Sequence, residues 1–163
     1  LYFGLMITKS GPKVIEYNCR FGDPECQTIM PLMDINFVNI LYKCAIGNLN
    51  GDEEVLSSSN KVSGCVIAAS KGYPENYDVG FPISFNNEEC EDVQIFHSGT
   101  SKDKEGKIIT DGGRVLSIVC QGKDFDSAFN MAYKVLKNIN FDGIYYRRDI
   151  GHQVRKDYIY KDL

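Results

Sequence analysis

The sequence predicts an α+β fold: an antiparallel hairpin and two short helices, then a mainly antiparallel sheet with one long helix. Two apolar, β-prone runs at 1–8 and 13–21 flank a Ser-Gly-Pro turn, which is typical of a hairpin. Several further runs of this kind follow residue 60. The longest helical pattern covers 124–139, where apolar residues recur every three or four positions.

Two helices are predicted after the hairpin. Asp23 can cap the first and Pro24 suits its opening turn, with Ile29, Leu32 and Met33 facing inward. The second covers 37–46, where apolar residues again repeat at helical spacing.

The polar, serine-rich stretch 48–60 is the best boundary in the chain. We therefore divide the chain into a first domain at 1–56, a second at 57–155 and a tail or linker at 156–163. Mixed charge and tyrosine already begin at Gly151 and give that end a tail-like composition. The strands predicted in the second domain are 62–70, 81–85, 93–97, 107–110, 114–120 and 143–148.

Composition excludes several classes of protein. The net charge is −4 and charges of both signs are interspersed, so a nucleic-acid partner is disfavoured. Apolar runs are too short to span a bilayer and no signal segment is visible, so we expect a cytoplasmic protein without a membrane partner. The six cysteines form no CxxC pair, which disfavours a zinc site.

The segment IEYNCRFGDPE, at 15–25, has the pattern most suggestive of chemistry. On a strand, Glu16, Asn18 and Arg20 would share one face, and the apolar residues between them would face the core. Carboxylate and amide oxygens two residues apart lie about 7 Å apart and suit magnesium ions bridged by phosphates. An adjacent guanidinium can neutralise phosphate oxygens. The same spacing equally fits an exposed strand with a Glu16–Arg20 ion pair, so it leaves both interpretations open.

The residues themselves are more specific than their spacing. E-x-N-x-R resembles the metal-binding strand of the ATP-grasp superfamily, and EYNCRFGDPE resembles its form in the phosphoribosylamine–glycine ligase family. Similar motifs follow in order: ASKGYP, FHSGT, GGRVL and YRRDIG. The resemblance implies that 1–56 is the C-terminal portion of an ATP-grasp domain and 57–155 the ligase C-terminal domain.

The family's reaction joins glycine to 5-phosphoribosylamine through an acyl phosphate, with ATP as co-substrate and Mg²⁺ or Mn²⁺ as cofactor. By resemblance, Glu16 and Asn18 are metal ligands, and Arg20 is the catalytic residue facing the phosphates. The resemblance also implies substrate-binding roles for five residues, which are Gly22, Asp23, Glu25, Lys71 and Arg114.

The second-domain residues have simpler explanations as well. Glycine-rich turns allow close backbone approach to a ligand, so Lys71, His97, Thr100 and Arg114 could line a cleft. Lys71 and Arg114 equally fit surface charges, and His97 equally fits a hydrogen-bonded residue at a strand end.

Two rival functions stay open, namely another ATP-grasp ligase or carboxylase and a non-catalytic binding module. The FGDPE continuation favours the glycine ligase over the other ATP-grasp enzymes. YIYKDL at the end of the chain resembles the linker to the next enzyme in fused purine-synthesis proteins, although an ordinary polar terminus fits it too. Residues 1–163 contain no glycine-rich phosphate loop before a helix, so we expect them to have no ligase activity alone.

Overall fold

The computed structural model describes residues 2–49, 59–86 and 91–156, and these form strands and helices in the predicted order. The strands are β1 Tyr2–Thr8, β2 Gly11–Asn18, β3 Val62–Ser70, β4 Ser84–Phe85, β5 Val93–His97, β6 Thr100–Lys102, β7 Ile108–Thr110, β8 Arg114–Gly122, β9 Ile139–Asn140 and β10 Ile144–Tyr145. The helices are α1 Glu25–Ile29, α2 Phe37–Ala45 and α3 Phe125–Leu136, with a 3-10 helix at Met30–Leu32.

The predicted hairpin is confirmed. β1 and β2 form an antiparallel two-stranded sheet, and Gly11 has a φ of 97° at the turn, which favours glycine. The expectation that the apolar residues of β2 face a core is wrong for the described chain. Ile15 and Tyr17 are 62% and 64% exposed, because none of the described elements covers this sheet.

The first helix starts differently from the prediction. Pro24 occupies the N-cap position of α1 and no side chain caps the helix, so the capping role expected of Asp23 is wrong. Ile29, Leu32 and Met33 are only partly buried. The prediction of the second helix is confirmed, since α2 begins after Asn36, whose side chain accepts a hydrogen bond from the Asn39 backbone N–H.

The second part contains a four-stranded antiparallel sheet in the order β10-β3-β8-β5. Helix α3 packs on one face of β3 and β8, and α1 contacts the same two strands. The core lies under α3, where Val66, Leu116 and Ile118 are almost fully buried. The α+β architecture is confirmed, as are the strands predicted at 62–70, 93–97 and 114–120.

The weaker strand predictions were only partly right. Of the predicted strand 81–85, only β4 forms a ladder with another strand. Pro82 has no N–H to donate, and it makes an isolated bridge with Ile109. The run 143–148 is a strand only at β10, and the two short strands β6 and β9 were not predicted.

The tail-like composition that begins at Gly151 does not prevent the described residues 151–156 from turning back onto α3, and the tail assigned to 156–163 stays a prediction. The Arg155 guanidinium lies 5.8 Å from the Phe129 ring centroid and 5.7 Å from that of Tyr133. It also donates to Asn130 Oδ1 at 2.7 Å, and the Lys156 backbone N–H donates to Asp126. Residues 157–163, which include the whole YIYKDL segment, lie outside the described residues, as do residues 50–58 at the proposed domain boundary. No helix in the described part of the chain is long and apolar enough to cross a membrane.

Candidate functional site

The hairpin register brings four residues to one face of the β1–β2 sheet. Gly4 pairs with Glu16 and Tyr2 pairs with Asn18, and directly opposed residues project to the same side. The register shifts between Gly4 and Leu5, which leaves Ile15 as a bulge residue. The predicted common face of Glu16 and Asn18 is therefore preserved on the side of the bulge that leads to the strand end.

Glu16 occupies space that a larger residue at position 4 would fill. A Cβ added to Gly4 would lie 2.8 Å from the Glu16 Cγ. The Glu16 side chain therefore lies across β1 toward Tyr2, rather than away from the hairpin. This contact gives a packing reason for a glycine opposite the carboxylate.

Tyr2 connects this face to the next loop. Its hydroxyl donates to Glu25 Oε1 at 3.0 Å. The pKa of the Tyr2 phenol is raised first by this hydrogen bond, then by partial burial and by the negative charges of Glu25 and Glu16. Two carboxylates therefore lie near the same hydroxyl, with Asn18 opposite Tyr2 in the register.

The residues present fit a hard divalent cation that completes its coordination elsewhere. Glu16 and Asn18 offer oxygen ligands from one strand face, and Mg²⁺ commonly takes one or two protein carboxylates plus phosphates and water. No group of three or more His, Cys, Asp or Glu side chains in the described ranges could hold a metal ion. A cation at this face would therefore depend on further ligands, such as nucleotide phosphates.

Arg20 lies beyond the end of β2, so the strand alternation that predicted a common face with Glu16 and Asn18 does not extend to it. β2 ends at Asn18, and Cys19 and Arg20 form a bend. The Arg20 guanidinium is exposed and donates to the Phe21 carbonyl at 3.3 Å. A shared face for Arg20 with Glu16 and Asn18 therefore stays a prediction.

The loop Gly22–Glu25 is tightly folded. Gly22 is buried, and a Cβ added there would lie 1.3 Å from Glu25 Oε2, so no larger residue fits this conformation. The Asp23 carboxylate accepts from Gln27 Nε2 at 2.8 Å and pairs with Arg114 Nη2 at 3.0 Å. Arg114 Nη1 also donates to the Asp23 carbonyl at 2.8 Å, which joins the loop to the start of β8.

Sequence comparison covers both parts of the chain. Residues 63–153 match the family model for the phosphoribosylglycinamide synthetase C domain, which is more than half of the chain. The chain belongs to the phosphoribosylglycinamide synthetase family. Residues 1–26 match the ATP-grasp (A) domain of the same family. The predicted division at residue 56 itself remains a prediction.

Relatives in this family are considerably longer. The chain is 49% identical over 151 residues to phosphoribosylamine–glycine ligase of Caldanaerobacter subterraneus subsp. tengcongensis, covering 93% of this chain and 35% of the relative. It is 42% identical over 152 residues to the human trifunctional purine biosynthetic protein adenosine-3, covering 93% of this chain and 15% of that protein. The chain thus spans about a third or less of these relatives.

A solved structure agrees with the fold. The crystal structure of phosphoribosylamine–glycine ligase from Thermotoga maritima superposes with a TM-score of 0.75 at 34% identity, over 90% of this chain and 35% of that one. This match supports an ATP-grasp-type first part followed by a sheet domain, as the phosphoribosylglycinamide synthetase resemblance implied.

The structure separates the second-domain residues that sequence analysis grouped as cleft residues. Lys71 is exposed beside a small depression of about 170 Å³ that Asp78 and Asp142 also line. His97 Nδ1 lies 3.1 Å from Thr100 Oγ1, and both line a different cleft of about 370 Å³. Of the predicted substrate-binding residues in this domain, only Arg114 contacts the loop that follows β2.

Two features of the phosphoribosylglycinamide synthetase site were missed from sequence. Tyr2 carries no signal in the sequence, since the register counted from the hairpin turn pairs it with Tyr17 and only the bulge beside Gly4 moves it opposite Asn18. A largely apolar cleft of about 380 Å³ also lies between the two parts of the chain, lined by residues that include Pro24, Cys65 and Tyr146. No local sequence signal identifies it, since its walls come from distant segments.

Proposed function

We propose that the native protein containing this chain joins glycine to 5-phosphoribosylamine, converting ATP to ADP and phosphate and giving glycinamide ribonucleotide. Glu16 and Asn18 on one face of β2, in a chain that matches this ligase family over both parts, are the observation on which the proposal rests. Relatives named phosphoribosylamine–glycine ligase support it.

The proposed chemistry proceeds in two balanced steps. A glycine carboxylate oxygen attacks the γ-phosphorus of ATP, which forms an acyl phosphate as ADP leaves. The phosphoribosylamine nitrogen then attacks the acyl carbon, loses a proton and expels phosphate. A bound Mg²⁺ or Mn²⁺ would supply charge neutralisation at the ATP phosphates.

The chain's own residues have defined tasks in this proposal. Glu16 and Asn18 provide oxygen ligands, and Tyr2 and Glu25 hold the strand end and the following loop together. Arg20, exposed beyond the strand, can turn toward phosphate oxygens without breaking a buried contact. Roles for Gly22, Asp23 and Lys71 at the substrates stay predictions.

We further propose a cytoplasmic protein, with fusion to other purine-synthesis enzymes as an open possibility. Relatives named as bifunctional and trifunctional purine biosynthetic proteins support fusion within the family. The size of the native polypeptide, measured by immunoblot, would decide between a single ligase and a fused enzyme.

Activity of the native full-length protein tests the main proposal. Product, followed by mass spectrometry, should require glycine, phosphoribosylamine, ATP and a divalent cation together, with one ADP formed per product. ATP turnover that depends on bicarbonate and ignores glycine would instead favour another ATP-grasp carboxylase. Metal-dependent nucleotide binding without turnover would favour a non-catalytic module.

Glu16→Gln is the matching substitution in that protein. It should reduce turnover by at least about a hundredfold, because a metal ligand is lost, while the thermal midpoint changes little at an exposed position. Glu105→Gln is the control, since Glu105 is exposed and pairs with Lys107 in the turn between β6 and β7. An active Glu16→Gln enzyme would remove Glu16 from the metal site.

A further inference from the structure

A β-bulge in β8 determines which face of the sheet the Arg114 side chain lies on. Along the β3–β8 ladder Ala68 pairs with Leu116, but the next pair is Ala69 with Arg114, so Val115 is the extra residue. In a regular ladder Arg114 would share a face with Leu116 and point into the core under α3. The bulge turns it to the opposite face, where α1 packs on the sheet.

On that face the Arg114 guanidinium contacts Asp23 through two oxygens. Nη1 donates to the Asp23 backbone carbonyl at 2.8 Å, and Nη2 lies 3.0 Å from the Asp23 carboxylate. The Asp23 carboxylate is also fixed by Gln27, at 2.8 Å. A planar fork that contacts a main-chain and a side-chain oxygen fixes both the position and the orientation of the loop.

The backbone that carries Arg114 is held by close-packed glycines. A Cβ on Gly99 would lie 2.7 Å from the Arg114 carbonyl oxygen and 2.7 Å from the Gly112 Cα. Gly99 N–H donates to that carbonyl at 2.8 Å. A Cβ on Gly113 would lie 2.1 Å from the Tyr73 ring. The glycines of FHSGT and GGRVL therefore pack against each other and against Tyr73 of ASKGYP, rather than leaving space for a ligand.

The other end of the loop is attached to the hairpin. Glu25 accepts from the Tyr2 hydroxyl, and Tyr2 pairs with Asn18 at the end of the metal-binding strand. Only four residues separate Asn18 from Asp23. A displacement of Asp23 would therefore be transmitted to Asn18 and Glu16.

We propose that Arg114 is a positioning residue: by clamping Asp23 it holds the Gly22–Glu25 loop, and with it the Glu16–Asn18 strand end, against the sheet domain. This replaces the substrate-binding role that its motif suggested. The inference rests on the proposed function for its kinetic consequence, but the clamp itself is testable without activity.

The test uses the native full-length protein and the variants Arg114→Gln, Arg114→Lys, Asp23→Asn and the double variant Arg114→Gln/Asp23→Asn. Amide hydrogen exchange of residues 19–27 should rise about tenfold in Arg114→Gln, because the loop loses a charge-assisted contact. Asp23→Asn should give a smaller rise, since its backbone carbonyl still accepts from Arg114. The double variant should match Arg114→Gln alone.

Kinetics separate positioning from substrate binding. The kcat should fall about tenfold in Arg114→Gln with each KM within about twofold, because misplaced metal ligands affect the transition state more than ground-state binding. Arg114→Lys should remain impaired, since an ammonium lacks the planar fork. A substrate-phosphate role predicts the reverse, namely a KM raised about tenfold for phosphoribosylamine and substantial rescue by lysine.

Lys61→Gln is the matched control, because Lys61 pairs with Asp92 at 2.6 Å with similar side-chain exposure, at the opposite end of β3 from the Ala69–Arg114 pair. It should leave loop exchange and kcat unchanged.

Unaltered exchange at 19–27 in Arg114→Gln, or additive effects in the double variant, would overturn the clamp. Should Arg114→Gln fail to fold, hydrogen exchange at 19–27 in Asp23→Asn and Arg114→Lys would still test the clamp. A wild-type protein without ligase activity would refute the proposed function, and the exchange result alone would then decide the clamp.

Discussion

At the scale of single residues, Gly22 and Glu25 illustrate how a short motif can have a packing reason apart from its chemistry. The Glu25 carboxylate lies where a side chain at position 22 would be, and its other oxygen accepts from Tyr2. The spacing of glycine and glutamate in FGDPE therefore follows from one compact loop conformation. A substrate contact is not needed to explain either residue.

Cys65 gives a prediction about pH. Burial, and then the charge of Asp23, raise the pKa of its thiol from 9.0 to about 12, although a hydrogen bond with Thr28 opposes the shift. A raised pKa means that the folded protein holds the proton more tightly. This contribution to stability is complete below pH 9 and is lost as the pH rises toward 12.

Wild type should therefore lose up to ~2 kcal/mol more unfolding free energy than Cys65→Ala between pH 8.5 and 10.5. Urea denaturation at the two pH values measures this difference. Cys19→Ala, which alters an exposed thiol, is the control and should follow wild type. Equal losses in wild type and Cys65→Ala would show that the thiol is not buried against α1.

At the scale of elements, hydrophobic periodicity predicted the strands and the helix that bury one whole face in the core. Strands β3 and β8 supply half of the core residues and α3 covers these strands, so their apolar patterns were strong. The strands β6 and β9 are only three and two residues long and carry no pattern of their own. Their pairing partners, not their composition, make them strands.

The site residues were likewise predicted where a strand pattern applied and not where the strand had ended or bulged. Alternation along β2 correctly placed Glu16 and Asn18 together, since side chains of one strand repeat every two residues. It does not extend to Arg20, where the strand had ended. The contact between Arg114 and Asp23 spans 91 positions and depends on a bulge, so neither spacing nor propensity could have predicted it.

The start of α3 provides a prediction at this scale. Asp124 is its N-cap and accepts from the Ser127 backbone N–H at 2.8 Å, while Ser127 Oγ accepts from the Asp124 N–H, which completes a capping box. The hydrogen bonds from Ser127 lower the pKa of the Asp124 carboxyl. This stabilisation is present above the unfolded pKa of 3.8 and is lost as the pH falls through the folded value.

Asp124→Ala should therefore lower the thermal midpoint by a few degrees at pH 7 and progressively less as the pH approaches 3. Asp124→Asn, which keeps the cap oxygen but cannot ionise, should fall between wild type and Asp124→Ala at pH 7. Thermal scans across this pH range make the comparison. A deficit in Asp124→Ala that is the same at every pH would show that the carboxylate charge plays no part in the cap.

At the scale of the whole molecule, the segment after β10 turns back and packs against helix α3. Arg155 has only 9% of its side chain exposed and stacks between two aromatic rings of that helix. Arg155→Ala should lower the free energy of unfolding by about 1–3 kcal/mol through lost packing and cation–π contacts. Arg148→Ala, at an exposed neighbouring position, should have little effect in the same urea titration. Equal effects would mean that the segment is not anchored by Arg155.

The two parts of the chain differ most in how much of their apolar surface they bury. The sheet domain has a continuous core, whereas Phe3, Leu5, Ile7 and Tyr17 on the hairpin are half exposed or more. An uncovered two-stranded sheet is marginally stable and its edges favour association. Strand β2, with Glu16 and Asn18, therefore lies on the less stable part of the described chain.

Purified residues 1–163 should accordingly fold in the sheet domain but form no glycinamide ribonucleotide. Glu16 and Asn18 could supply only part of a cation's coordination, and Gly112-Gly113 leads into strand β8 rather than into a helix that could bind phosphate. Circular dichroism and hydrogen exchange would report a protected sheet domain, while mass spectrometry should detect product only from the native full-length protein assayed in parallel. Turnover by the 163-residue fragment would show that the chain holds a complete ligase site, and that the residues assigned here are not the only ones binding ATP.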